Sequence, residues 1–210
     1  MSRSMSRTRA GLALVTAGVL AGGSALALYP GMASAATLVH AKYKVSGSTY
    51  LKTPNFTLAL GPGTLSATLN AATGKLKANL SLPDATGSFK QFGIIPVTAT
   101  TQLINDGPTT GKVNLKTGSV KTTSKITMRI VSLTVAGIGI PVGSSCETSA
   151  PVVVALASQP KFNILSGGKL AGKYTIPNFS HCGLATVLIN ATIPGSGNTI
   201  TFKLGKAKIG

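Results

Sequence analysis

Three carboxylates, two histidines and two cysteines are all that this chain of 210 residues offers to acid–base, nucleophilic or metal chemistry. Catalysis by paired carboxylates needs two acids within about 5–10 Å, in surroundings that drive their pKa values apart. The acids here are Asp84, which follows Pro83, Asp106, inside the turn cluster Asn105-Asp106-Gly107-Pro108, and Glu147, beside Cys146. Each is better placed for turn chemistry or a solvated surface than for a catalytic pair. A Ser-His-Asp relay would draw on His40 or His181. The chain has no Gly-x-Ser-x-Gly elbow, however, and His181 adjoins Cys182 as a structural loop histidine does. Gly61-Pro62-Gly63 and Gly137-Ile138-Gly139 lack the strand-to-helix setting of a phosphate loop. The reading is a non-enzymatic protein without catalytic residues, cofactor or metal.

The two cysteines point to a compartment. Arg3, Arg7 and Arg9 precede an apolar run from Ala10 to Leu28, which Tyr29-Pro30-Gly31-Met32 breaks. Ala33-Ser34-Ala35 then supplies the small-x-small pattern of a Sec-type signal peptide, with cleavage between Ala35 and Ala36. Residues 1–35 are thus read as the signal and 36–210 as a single secreted, extracellular domain. Oxidising surroundings favour one Cys146–Cys182 disulfide, against the alternative of two unpaired buried thiols. Two cysteines and one adjacent His181 do not make four zinc ligands.

Lysine is the remaining constellation. The formal charge of +17 loses three signal arginines and becomes +14, carried by sixteen lysines and Arg129 against the three acids. Specific recognition of nucleic acid usually enlists the bidentate guanidinium fork, whereas an ammonium is a hydrated point charge. The composition therefore excludes a specific nucleic-acid reader and fits diffuse attraction to polyanions. Lys75, Lys77, Lys112, Lys116, Lys169 and Lys173 are the polyanion-binding candidates, each on the outward phase of an alternating run.

Those runs define the elements. From Lys75 to Leu82 every even position is apolar and every odd one polar, the period of a half-buried strand. Lys169–Ile176 repeats the pattern, with Leu170, Gly172, Tyr174 and Ile176 inward. Val113 and Leu115 face in, as do Ile126, Met128 and Ile130; a phase slip near Val131-Ser132 predicts a bulge. Val39–Val45 and Ile200–Leu204 make the first and last strands. Gly74, Gly118 and Gly167 sit in the turns between runs. One segment, 184–193, reads as a short helix, apolar on nearly every side and so buried or covering an open end. Gly74-Lys75-Leu76 … Leu82-Pro83-Asp84 is echoed at identical spacing by Gly168-Lys169-Leu170 … Ile176-Pro177-Asn178, as two repeated halves would produce. The expected fold is all-β, an antiparallel β-sandwich or flattened barrel.

Several stretches, among them Phe92-Gly93-Ile94-Ile95-Pro96-Val97, Thr109-Thr110-Gly111-Lys112-Val113-Asn114, Ile140-Pro141-Val142-Gly143-Ser144-Ser145-Cys146 and Tyr174-Thr175-Ile176-Pro177-Asn178-Phe179-Ser180-His181-Cys182-Gly183, resemble a poorly characterised group of secreted actinobacterial proteins. The resemblance spans most of residues 36–210. It implies a cell-exterior, β-rich protein whose two cysteines pair, and brings no catalytic residue with it.

Two functions follow as expectations. The first is a domain associated with the cell envelope, its lysine-rich sheet faces touching an anionic cell-wall polymer or lipid head groups. The second is an extracellular carrier with an apolar or lipid ligand inside its β-shell, motivated by the apolar segments 92–97, 133–142 and 184–193.

Overall fold

A computed structural model describes residues 37–210; the signal at 1–35 and the cleavage point before Ala36 lie outside the described residues. The first strands are β1 (Leu38–Leu51), β2 (Phe56–Asn70), β3 (Lys75–Ser81), β4 (Ala85–Gln91) and β5 (Ile95–Asn105). Then come β6 (Thr109–Val113), β7 (Val120–Val135), β8 (Ile138–Ile140), β9 (Glu147–Thr148) and β10 (Val152–Ser158). The chain ends with β11 (Gly168–Ile176), β12 (Phe179–Ser180), α1 (Ala185–Asn190), β13 (Gly195–Leu204) and β14 (Lys208–Ile209).

Every ladder is antiparallel. The order β10-β11-β13-β1-β2-β3-β6-β7 returns on itself, because β7 also pairs with β10 from Ile126↔Val152 to Lys121↔Ala157. Eight strands therefore close into a barrel and hide their edges. Closure is possible because β7 is long enough for two roles. Its first half lies in the barrel, while its second half leaves to pair with β5, β8 and β9. The expected bulge is there: Ile130 faces Thr101 and Ser132 faces Thr100, which leaves Val131 over. A second irregularity sets Gly61 and Pro62 opposite Ser46, between Val45↔Gly63 and Gly47↔Leu60. Proline, which has no N–H for a ladder, is tolerated at such a point.

Outside the barrel β4 hangs on β5 and lies against the start of β2, where the rings of Phe56 and Phe89 sit 6.0 Å apart. Two distinct ends result. The lysine end carries the β2–β3 turn (71–74), the β6–β7 turn (114–119) and the β10–β11 loop (159–167). The disulfide end carries the β1–β2 turn (52–55), α1 and the Cys146–Cys182 bond, whose sulfurs are fully buried. That bond closes a sequence separation of 36 residues.

The alternation is read correctly over most of the chain. Ala78, Ile126, Met128, Ile130, Leu170, Tyr174, Ile176, Ile200, Phe202 and Leu204 are buried, and the lysines between them are exposed. Three details are corrected. Strand β6 ends at Val113, because the Asn114 side-chain oxygen accepts the Lys116 and Thr117 N–H groups and turns the chain. Leu115 is consequently exposed, and Lys116 belongs to the turn rather than to a sheet face. The helix spans six residues and buries only Ala185 and Ile189, leaving Leu184 and Val187 exposed.

Candidate functional site: barrel surface and interior

The chemistry-bearing side chains do not converge. Glu147 pairs with Arg129 at 3.2 Å, both partly exposed, a geometry that contributes little stability. Asp106 accepts a hydrogen bond from the Thr127 hydroxyl at 2.9 Å. His40 lies 3.1 Å from the Thr68 hydroxyl on the outer face of the barrel. His181 occupies the tight turn before α1 with φ at 61°. Among the described residues no three His, Cys, Asp or Glu side chains gather as a metal-binding group would.

The lysines form distinct sets fixed by strand register. Lys75 on β3 lies directly opposite Lys112 on β6, and Lys112 directly opposite Lys121 on β7. Lys169 on β11 faces Lys203 on β13, and Lys42 on β1 faces Lys208 on β14. Residues in such positions have Cβ atoms about 4.5–5.5 Å apart, and like charges there repel. No carboxylate stands within these rows. The six candidate lysines are therefore not one site: Lys75 and Lys112 share a ladder, Lys169 and Lys173 lie on another strand, and Lys116 is in a turn.

Lys77 goes elsewhere again. With Lys42 and Lys208 it borders an open cleft of about 610 Å³ on the outer face of β14, β1, β2 and β3. His40, Ser66, Thr68 and Asn79 line the same cleft, so it presents ammonium groups beside hydroxyl and amide donors. Lys121 and Lys208 were missed in the sequence, whereas Lys203 reads as an outward lysine of the last strand. Alternation places them outward; only pairing shows that they oppose other lysines.

The barrel interior holds a cavity of about 110 Å³ near the lysine end. Its walls are mostly apolar; of the hydroxyl-bearing residues Tyr43, Thr109, Thr122 and Ser124 that line it, Thr109 and Ser124 bond each other at 2.7 Å. The loop 159–167 crosses this end, with Phe162, Ile164 and Leu165 among the lining residues. The loop is held by the Tyr43 hydroxyl, which donates to the Ile164 carbonyl at 2.8 Å, and by the Ala207 N–H, which donates to the Leu165 carbonyl at 2.8 Å. Burial pushes the Tyr43 phenol above its ordinary pKa. Tyr174, toward the other end, is raised by burial too, partly offset by its 2.6 Å hydrogen bond with Thr49.

The apolar segments that motivated a ligand-filled shell contribute little to this cavity. Phe92 and Ile94 project from the β4–β5 turn and Ile138 from the start of β8, and all three are exposed. None of the residues 92–97, 133–142 or 184–193 lines it. Neither family models nor curated proteins nor solved structures give a match to the chain.

Proposed function

We propose that the domain is a secreted, non-enzymatic component of the cell exterior that associates with anionic envelope polymers through the lysine rows of its barrel. The Lys75–Lys112–Lys121 ladder carries this reading. Three ammonium groups on neighbouring strands cost the folded state repulsion, and a polyanion laid across them removes it. The Cys146–Cys182 disulfide supports an extracellular location. Retention on purified cell walls tests the proposal. Binding should be strong near 0.01 M salt, where charges act over about 30 Å, and vanish near 1 M, where they act over about 3 Å. The triple variant Lys75→Gln, Lys112→Gln, Lys121→Gln should elute at distinctly lower salt. Absence of retention at low salt defeats the reading.

A second reading, a carrier of an apolar ligand inside the β-shell, is supported by the 110 Å³ cavity, since eight-stranded barrels are just wide enough to fill or to hold one small ligand. The repeated-halves expectation stays alongside as a proposal. The echoed segments become barrel strands β3 and β11, and each sets its lysine opposite another, Lys112 for Lys75 and Lys203 for Lys169.

A further inference from the structure

Protein interiors are packed to crystal-like density, so a row of undersized side chains inside a barrel needs a reason. Ala41 on β1, Ala67 on β2 and Ala78 on β3 stand directly opposite one another, and all three line the cavity at the lysine end. Methyl groups on three adjacent strands leave the room that branched side chains would take.

That cavity is the largest of three inside the protein's apolar interior. A second of about 40 Å³ and a third of about 50 Å³ lie beyond it. The middle one shares Leu156 and Phe202 with the first, and Val154 and Ile200 with the third. Since those pairs are two residues apart on β10 and β13, the three cavities follow one another along those strands, the third walled also by Ala85, Gly87 and Phe89 of β4 and Ala99, Thr101 and Leu103 of β5. The three are separate spaces in one line, so a ligand spanning them must displace the side chains between them, Leu156 and Phe202 first and Val154 and Ile200 next. Even the largest falls below the roughly 150 Å³ that accepts a benzene ring and the roughly 300 Å³ where ordinary ligand pockets begin.

The first cavity also reaches the surface. Leu165 and Ile209 line it while remaining 61% and 54% exposed, and so mark its mouth. Exposed lysines stand on the outer wall around that end, one residue from cavity-lining positions and on the opposite face in β3 and β14: Lys75 before Leu76 and Lys208 before Ile209, with Lys161 before Phe162 in the crossing loop. The carboxylates lie elsewhere, Asp84 on the β3–β4 connection, Asp106 with Thr127 and Glu147 with Arg129.

We propose that the barrel binds one unbranched hydrocarbon chain along its axis, entering between Leu165 and Ile209, with an anionic head group held outside by the lysines of the mouth. The inference rests on the carrier reading and names its ligand class: a single-chain anionic amphiphile. The alanine row admits the chain, the smaller cavities beyond it exclude rings and branches, and the lysines select the charge.

The test is titration of the purified protein with octanoate, decanoate and dodecanoate, followed by methyl NMR shifts and native mass spectrometry. Affinity should rise about fourfold per added methylene until the axial series is filled. Decyltrimethylammonium, with the opposite head charge, should bind at least about tenfold more weakly. Adamantane carboxylate, bulky but anionic, should not bind. Ala78→Leu fills the cavity and should abolish decanoate binding; should it fail to fold, Leu165→Asp at the exposed mouth should weaken binding about tenfold without disturbing the core. A folded Ala78→Leu protein that binds decanoate normally overturns the site. Equal binding of decanoate and the cationic amphiphile overturns the head-group assignment, and equal binding of adamantane carboxylate overturns the single-chain assignment. Shifts from benzene alone, with none from decanoate, overturn this inference while sparing the carrier reading; no shift from any probe overturns both.

Discussion

At the lysine end, the inward row Ala41–Ala67–Ala78 leaves a cavity of about 110 Å³, and flanking residues such as Leu69 and Leu76 are only partly buried. Toward the disulfide end the inward positions are Ile130 and Ile176, 1% and 2% exposed, and the cavity there is about 50 Å³. Both ends are made by the same alternation of inward apolar and outward polar residues. They differ in side-chain volume and in what closes them. A covalent bond, a short helix and two phenyl rings close one; a loop with no covalent tie, held by hydrogen bonds such as Tyr43 to Ile164 and Ala207 to Leu165, crosses the other. The contrast separates a tightly packed end from a loosely packed one, and loosely packed regions are where local opening is expected to be easiest.

The contrast is open to direct attack. Replacing both Cys146 and Cys182 by alanine should cost about 3–4 kcal/mol in the chain-entropy model, measured by denaturant unfolding. Hydrogen exchange should then accelerate first around β9, β12 and α1; acceleration confined to the loop 159–167 would contradict the division. Truncating the core gives a paired comparison. Ile176→Ala should lose about 3 kcal/mol and Leu76→Ala, beside a cavity and partly exposed, about half that or less. Equal losses would show that the two ends are packed alike.

Tyr43→Phe sharpens the picture of the crossing loop. Losing the hydrogen bond to Ile164 should cost about 1 kcal/mol and speed exchange across residues 159–167. The same variant has a pH signature. Tyrosines in the unfolded chain ionise near pH 10, while burial holds Tyr43 and Tyr174 protonated above that. The folded state therefore binds more protons in alkali, and its stability, complete below about pH 10, falls as pH rises through the raised pKa values. Tyr43→Phe should fall less steeply than the parent protein in denaturant midpoints taken between pH 9 and pH 12. Identical slopes would remove Tyr43 from the account.

The smallest expected change is on the outer face. Lys121→Glu sets a carboxylate opposite Lys112 and should stabilise the fold by about 0.2–1 kcal/mol at low salt, with the gain screened away at high salt. It should also weaken retention on cell walls. A variant that is less stable at low salt would contradict the repulsion assigned to the ladder.

Much of the fold was legible because a half-buried strand writes its two faces into the sequence. The Lys75–Leu82 alternation became β3, and the slip at Val131 became a bulge with one unpaired residue. What failed did so for local reasons. Leu115 kept the phase of β6 but fell beyond Val113, where the Asn114 side chain had already turned the chain. Leu184 and Val187 were apolar without being buried, because α1 is too short to present more than one face to the core. The lysine candidates were legible as outward residues and illegible as groups, since period-2 patterning names a face but not the strand beside it.

Residue types and their alternation alone determined that this chain forms antiparallel strands with a dry face and a lysine-bearing face, and that its two cysteines would pair. Only tertiary structure decided that β7 pairs with β10 to close eight strands, that Lys75, Lys112 and Lys121 oppose one another, and that three alanines meet around a cavity. The physical reason is that side-chain direction is a local property of the strand, whereas register and closure are set by contacts between residues far apart in the chain.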